Sequence, residues 1–451
     1  MKAPGLDIER IRAQFPALTQ TINNQPVIFF DGPGGTQVPG SVIDAIADYL
    51  VRSNANAHGA FATSARTDAL IDSARTAAAD LLGCDATEVV FGANMTTLTF
   101  ALSRAIGREI QPGDEIIVTR LDHDANVSPW CALVERGATV RFVDINLEDC
   151  TLNWSDLEQQ INERTRLVAV GYASNAVGTI NDVAAIAQLA HAVGALVFVD
   201  AVHYAPHGPI DVRSLDCDFL VCSAYKFFGS HVGILYGKHE HLTRFQPYKV
   251  RPASDEVPSR WETGTLNHEG LAGMVAAINY LAKIGCQVAP SRENHLLYNL
   301  LKADAGKWET FRCPPSRSTS SSFPNRRAAL VTAMTAIQQY EVGLSKCLIS
   351  WLSEMIPGLT IYGITDPERF AWRTPTLAFR LEGQSPQMVA KMLGDRGIFA
   401  WHGNFYASNL TEKLGVETSG GLVRVGLLHY NTVAEIRRLL EELSEIAVLS
   451  K

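Results

Sequence analysis

The sequence predicts an α/β protein with a mostly parallel sheet, followed by a smaller C-terminal unit of α+β character. Three observations predict it. From about Val89 to Tyr236, short apolar runs, polar clusters and helix-like stretches alternate repeatedly. After Thr265 the periodicity turns helical. Past a Ser-, Pro- and Arg-rich stretch, Pro314 to Asn325, strands (Thr376 to Leu381, Leu422 to Gly426) mix with helices (Met388 to Arg396, Val433 to Ile446). A chain of 451 residues exceeds one ordinary core. The expected division is an N-terminal arm over 1–30 associated with the small domain, a large domain over 31–285 and a small domain over 286–451, its start falling near Pro290.

Composition narrows the function classes. With 47% hydrophobic and 19% charged residues the chain is a compact folded protein and not a disordered one. The formal charge of -8, without a clustered basic face, excludes a nucleic-acid or anionic-membrane surface from the expectations. Eight scattered cysteines form no C-x-x-C pair, and no histidine cluster has metal-ligand spacing, so reduced thiols and no metal are expected. The first residues, including Asp7, Glu9 and Arg12, are too polar for a signal-peptide core. No segment approaches the roughly 18 apolar residues of a membrane span. A cytoplasmic protein is expected.

Five apolar runs end in polar clusters, in chain order. Val89 to Phe91 lead to Asn94, Thr96 and Thr97; Glu115 to Val118 lead towards Asp122 and His123; Leu167 to Val170 lead to Asn175. Leu196 to Val199 lead to Asp200 and His203, and Phe219 to Val221 lead to Ser223, Tyr225 and Lys226. The best-marked helix lies before the fourth run: Asn181 and Asp182 cap it, Ile186, Leu189, Ala190 and Val193 share a face, and Gly194 ends it. Ligands of open α/β sheets bind beyond the carboxyl ends of the strands, which gives these polar residues first claim to function.

A small aromatic cation with a phosphate tail would use the whole assortment. Thr96 and Thr97 open a helix expected to run to Arg108, and a helix start offers N–H groups and a positive dipole end to phosphate; Ser223 adds a hydroxyl. Asp200 would keep a pyridine nitrogen protonated, His123 would stack on the ring, and Asn175 and His203 would bond a ring hydroxyl. Lys226 is the right nucleophile for an aldehyde once burial beside a cation lowers its pKa from about 10.4 towards 7 to 8. Taken singly, each residue has a plainer reading: a cap, a surface charge or a packing residue. Their joint order and spacing carry the reading.

At these residues the sequence resembles the class V aminotransferase and cysteine desulfurase family, pyridoxal-phosphate (PLP) enzymes of fold type I. The resemblance runs from about Phe29 to Ile446 and rests on Asn54 to His58, Asp122 to Asn126 with Pro129-Trp130, Ser174-Asn175 with Gly178, Val199-Asp200, Ser223 to Lys226 with Gly233 to Gly237, and Glu262 to Thr265. It implies a large domain with a mostly parallel seven-stranded sheet. It implies that Lys226 forms a Schiff base with PLP, that Asp200 pairs with the ring nitrogen and that His123 stacks on the ring. Asn175 and His203 then sit near the ring hydroxyl, His203 where relatives commonly have Gln. Met95, Thr96, Ser223 and Tyr225 fall to the cofactor, the last three at its phosphate. Thr265 would reach the phosphate of the neighbouring subunit, which implies a homodimer with shared active sites. Arg424 corresponds to the arginine that grips the substrate carboxylate, and Trp401, His402 and Tyr406 would line the substrate side.

Two departures shape the expected reaction. Desulfurases of this type carry an Arg-Thr-Gly-His-His-Cys-like loop whose cysteine takes the sulfur; here the stretch is Trp401-His402-Gly403-Asn404-Phe405-Tyr406, and the nearest cysteine in sequence is Cys347. The Asn-Ala-Asn segment is followed by Gly59-Ala60 in place of Arg-Gly. The expectation is a desulfurase-like C–S lyase acting on an amino acid, with transamination or epimerisation as alternatives and a catalytically silent scaffold as a further one.

Overall fold

A computed structural model describes residues 5–288 and 325–448. The expected domain start near Pro290 and residues 314–324 of the expected linker lie outside the described residues.

Seven short apolar segments form the large sheet: β1 (Val89–Gly92), β2 (Glu115–Thr119), β3 (Thr139–Val143), β4 (Thr165–Gly171), β5 (Leu196–Asp200), β6 (Phe219–Ser223) and β7 (Gly233–Gly237). The order is β1-β7-β6-β5-β4-β2-β3, parallel throughout except for β7, which runs antiparallel to β1 and β6. These segments read as near-continuous apolar runs because both faces of the sheet are covered. Val168, Val170, Val197 and Val199 point into one core, while Leu167, Ala169, Phe198 and Phe219 point into another on the opposite face. The pairings Gly171↔Asp200 and Asp200↔Val221 set the carboxyl ends of β4, β5 and β6 side by side. Three loops carrying Asn175, His203 and Lys226 therefore leave the sheet at one edge.

Local chemistry explains the flanking helices. Asn94 caps α1 (Met95–Ile106) by accepting the Thr97 amide at 2.9 Å, and Asp182 caps α2 (Val183–Ala192) by accepting the Ala185 amide. Gly194, at φ +78°, then turns the chain into β5. The helix α3 (His268–Val288) corrects one expectation: by length and composition it could cross a membrane, with a mean hydropathy of 1.3. Its apolar character answers to packing, for 61% of that window is buried. At Gly285 a side chain is impossible, because a Cβ would lie 1.8 Å from the Ala329 carbonyl oxygen on α4 (Arg326–Met355).

The first half of α4 (Leu330, Ala333, Ile337) packs in the large core and its second half (Leu344, Leu348, Leu352) in a separate smaller one, so one helix serves both. The smaller core lies under an antiparallel sheet of β8 (Leu359–Tyr362), β9 (Thr376–Leu381), β10 (Trp401–Gly403) and β11 (Leu422–Gly426), in the order β8-β9-β11-β10. Near the N-terminus, Ile28–Phe29 pairs in parallel with Ile398–Phe399, and Arg12 bonds Glu435 at 2.9 Å.

Candidate active site

The loops at the carboxyl edge and the edge of the small sheet enclose a cavity of about 430 Å³, within the range of small-molecule sites. Asp200 enters it from the end of β5, and Lys226 from the short 3-10 turn that follows β6. The Lys226 amine donates to the carbonyl of Pro33 and stands 5.0 Å from the centre of the Tyr225 ring. Met95 and Thr96 reach the cavity from the first turn of α1. Thr97 does not: its hydroxyl completes the capping exchange with Asn94, and its side chain faces solvent.

The site is dry enough to shift its ionisable groups. Burial lowers the Lys226 pKa to about 7; Arg424 adds to the shift and Asp200 opposes it. Burial raises Asp200 to about 6, although the Val202 amide, at 2.9 Å, and the Lys226 charge favour its ionised form. His123 is lowered to about 4 by burial and by the charges of Lys226 and Arg424. Its Nδ1 accepts the Ala125 amide at 3.0 Å, which leaves the ring proton on Nε2. His203 is likewise held well below its usual range, by burial first and then by His207, Arg424 and Lys226.

The loop after β10 closes the other wall. Gly403, Phe405 and Tyr406 all take positive φ (113°, 57° and 59°). Asn404 sustains this geometry, accepting the Tyr406 amide at 3.1 Å and donating to Glu417 at 2.9 Å. The loop then locks onto the sheet edge: the Phe405 carbonyl accepts Asn175 Nδ2 at 2.8 Å, and the Tyr406 carbonyl accepts the Asp124 amide at 2.7 Å. The Tyr406 ring stacks on His123 at 5.4 Å and 21°, and the Arg424 guanidinium lies 4.2 Å from the Phe405 ring centre.

Two buried polar atoms at this cavity have no partner, Asn175 Oδ1 and Arg424 Nε. One is an acceptor and the other a cationic donor, and an unsatisfied buried group costs about 1–3 kcal/mol. A ligand bearing both a donor and an anionic acceptor relieves both. With an amine of lowered pKa and a buried carboxylate beside them, the residues fit PLP and an amino acid.

Of the sequence-predicted site residues, Met95, Thr96, His123, Asn175, Asp200, His203, Tyr225, Lys226, His402 and Arg424 line this one cavity, and Trp401 and Tyr406 join them. Ser223 stands behind the wall, its Oγ accepting the Met95 amide at 3.1 Å, so it braces the start of α1 from β6. Thr265 is exposed and outside this chain's cavity. Sequence reasoning assigned no role to Asp122 or Asp31. Asp122 lines the cavity with its pKa raised to about 7, by burial and by Asp200, and its strand-end position was the available signal. Burial raises Asp31 to about 6 and the nearby Arg424 charge partly offsets that rise, and nothing in the sequence linked the two.

Fold and cavity together define an α/β enzyme whose reactive groups stand at the carboxyl edge of a seven-stranded sheet. The profile of the family Aminotransferase class-V matches residues 28–323 and 327–439. The chain belongs to the class-V aminotransferase family and is a PLP-dependent enzyme. Among its relatives, the aminotransferase-like protein FGM3 of Gibberella zeae is 32% identical over 99% of this chain and 100% of that protein. A cysteine desulfurase of Pectobacterium atrosepticum is 32% identical over 97% of this chain and 98% of that protein. The apo structure of a cysteine desulfurase from Thermococcus onnurineus superimposes with a TM-score of 0.79 at 25% identity, covering 99% of each chain.

Proposed function

We propose that the protein acts on a small sulfur-bearing amino acid in the manner of a cysteine desulfurase, releasing the sulfur directly as a C–S lyase. The observation that carries it is the meeting of Lys226, Asp200 and Arg424 in one cavity. Lys226 is the residue that holds the cofactor aldehyde covalently, and its lowered pKa lets it act as a base near neutrality. PLP, when bound, supplies an electron sink for charge developing at the substrate α-carbon. Asp200 would keep the pyridine nitrogen of PLP protonated, and His123, held neutral, would pack against the ring. Arg424 takes the substrate carboxylate through its unpartnered Nε, leaving Lys226 to remove the α-proton.

Direct release follows from the loop. Phe405 and Tyr406 stand where a desulfurase's acceptor thiol is expected, and among the described residues no cysteine lines the cavity. Burial pushes the thiols of Cys84, Cys131, Cys150, Cys217, Cys222 and Cys286 up, away from the nucleophilic thiolate. With L-cysteine and one water the products are sulfide, pyruvate and ammonia. Transamination is the second reading, favoured by the likeness to an aminotransferase-like protein. The exposure of Thr265 leaves it available to a second subunit, which supports a homodimer with shared sites. Seven described cysteines without a disulfide agree with a cytoplasmic location.

Incubation of the PLP-loaded protein with L-cysteine, and separately with L-alanine, tests the assignment. Sulfide and pyruvate from L-cysteine support it. Pyridoxamine phosphate accumulating without sulfide contradicts it and establishes transamination.

A further inference from the structure

Behind His203, away from the cavity, lies a buried polar array that the chemistry above leaves unused. His207 follows in the same turn, its ring meeting that of His203 edge to face with centroids 5.2 Å apart. His207 Nδ1 is 2.8 Å from Glu341 Oε2, on α4, and the two residues are 4% and 1% exposed. Beyond Glu341, His429 Nε2 bonds the Tyr280 hydroxyl at 2.6 Å.

The charge state of the pair follows from its surroundings. Among the described residues Glu341 meets His207 and the His429 backbone amide but no guanidinium or ammonium, and a carboxylate buried this deeply with those partners alone is costlier than the neutral acid. Burial accordingly raises Glu341 well above the carboxylate range and lowers His207 to about 3. Both members are uncharged: the Glu341 carboxyl donates to His207 Nδ1, and the imidazole proton sits on Nε2. At the cavity wall, His203 Nε2 is 3.2 Å from Thr374 Oγ1, whose hydroxyl donates to the Gly178 carbonyl at 3.3 Å. That arrangement makes His203 Nε2 the donor and its Nδ1 the acceptor. Lys226 and Arg424 face His203 from the cavity side, while His429 lies close to His207, and Tyr340 and Tyr430 lie close to Glu341.

We propose that Glu341 and His207 are a positioning pair that holds the His203 ring in place and neutral at the cofactor cavity, its tautomer being set by Thr374, and thereby sets the proton affinity of the bound cofactor. The proposal rests on PLP occupying this cavity, and on neither the lyase nor the transamination outcome. It concerns residues 134 positions apart that no strand-end pattern connects.

The test is a pH titration of the cofactor absorption in PLP-loaded wild type, Glu341→Gln, Glu341→Leu and His207→Phe, with melting temperatures alongside. The Gln amide still donates to His207 Nδ1 and keeps the midpoint at the wild-type value. Leu and Phe move it by about half a unit or more. A midpoint unchanged in Leu and Phe despite lower melting temperatures, or moved as far by Gln as by Leu, overturns the proposal. Should Leu or Phe not fold, the ¹⁵N spectrum of histidine-labelled wild type decides: His207 Nδ1 is expected unprotonated across the neutral range, and an Nδ1-protonated ring overturns the pair. A wild type that takes up no chromophore faults the cofactor assignment instead.

Discussion

Arg424 Nη1 donates to the backbone carbonyl of Asn175 at 2.7 Å, joining the small sheet to the loop after β4. The contact fixes the guanidinium between the Phe405 ring and the cavity, with Nε still unpartnered. Burial lowers the Arg424 pKa to about 9, and the arginine remains charged at neutrality. Arg424→Lys loses the planar fork and the tie to Asn175. The substrate KM rises by about 10- to 100-fold with PLP affinity little changed; steady-state kinetics and a PLP titration check the two parts.

The role proposed for Asp200 is to keep the cofactor ring charged, so its neutral isostere separates binding from chemistry. Asp200→Asn can still accept the Val202 amide, which holds the wild-type side chain at 2.9 Å. The variant is expected to fold and take up PLP. Its turnover falls by about 10²-fold or more, measured with the substrate at saturation.

The apo-protein carries a pH signature of its buried amine. The Lys226 pKa is about 7 in the folded chain and about 10.4 in the unfolded one. Between these values the unfolded state binds more protons, so this group makes stability rise with pH from about 7 to about 10, and below about 7 its penalty is complete. Asp200, raised to about 6, acts in the other direction at lower pH: its contribution falls as pH climbs from about 4 to about 6. Lys226→Met removes the first effect. Apo-Lys226→Met is expected to be the more stable protein at pH 6, with the advantage shrinking towards pH 10 in urea unfolding curves.

Within the closing loop, Asn404 sets the backbone geometry. Asn404→Ala loses the bonds to the Tyr406 amide and to Glu417, about 1–2 kcal/mol in all. Hydrogen exchange over residues 403–406 speeds up, and KM rises more than kcat falls, because the loop positions Phe405 and Tyr406 without touching the amine.

Much of this was legible in the sequence because it depends on short-range chemistry. β9 and β11 lie where alternation and turn residues predicted them, and the α2 cap is Asp182, as its position before an apolar face implied. Strand-end polarity pointed to eight residues of one cavity, since a parallel sheet collects the carboxyl ends of its strands on one edge, while Met95, His402 and Arg424 were reached only through the family resemblance. It also overreached: Ser223 and Thr97 are strand-end hydroxyls too, yet one braces α1 and the other caps it. What stayed hidden depends on long-range packing. The neighbourhood of Asp31 and Arg424, the left-handed backbone at Phe405 and the His207–Glu341 pair each join segments that local pattern cannot relate.

Hydride trapping reads the linkage between Lys226 and the cofactor directly. The PLP-loaded protein is reduced with borohydride, digested and mapped by mass spectrometry. The prediction is a pyridoxyl-phosphate adduct on the peptide carrying Lys226, lost in Lys226→Ala together with the visible absorption. An unmodified Lys226 peptide from a protein that retains its chromophore rules out Lys226 as the residue that carries PLP.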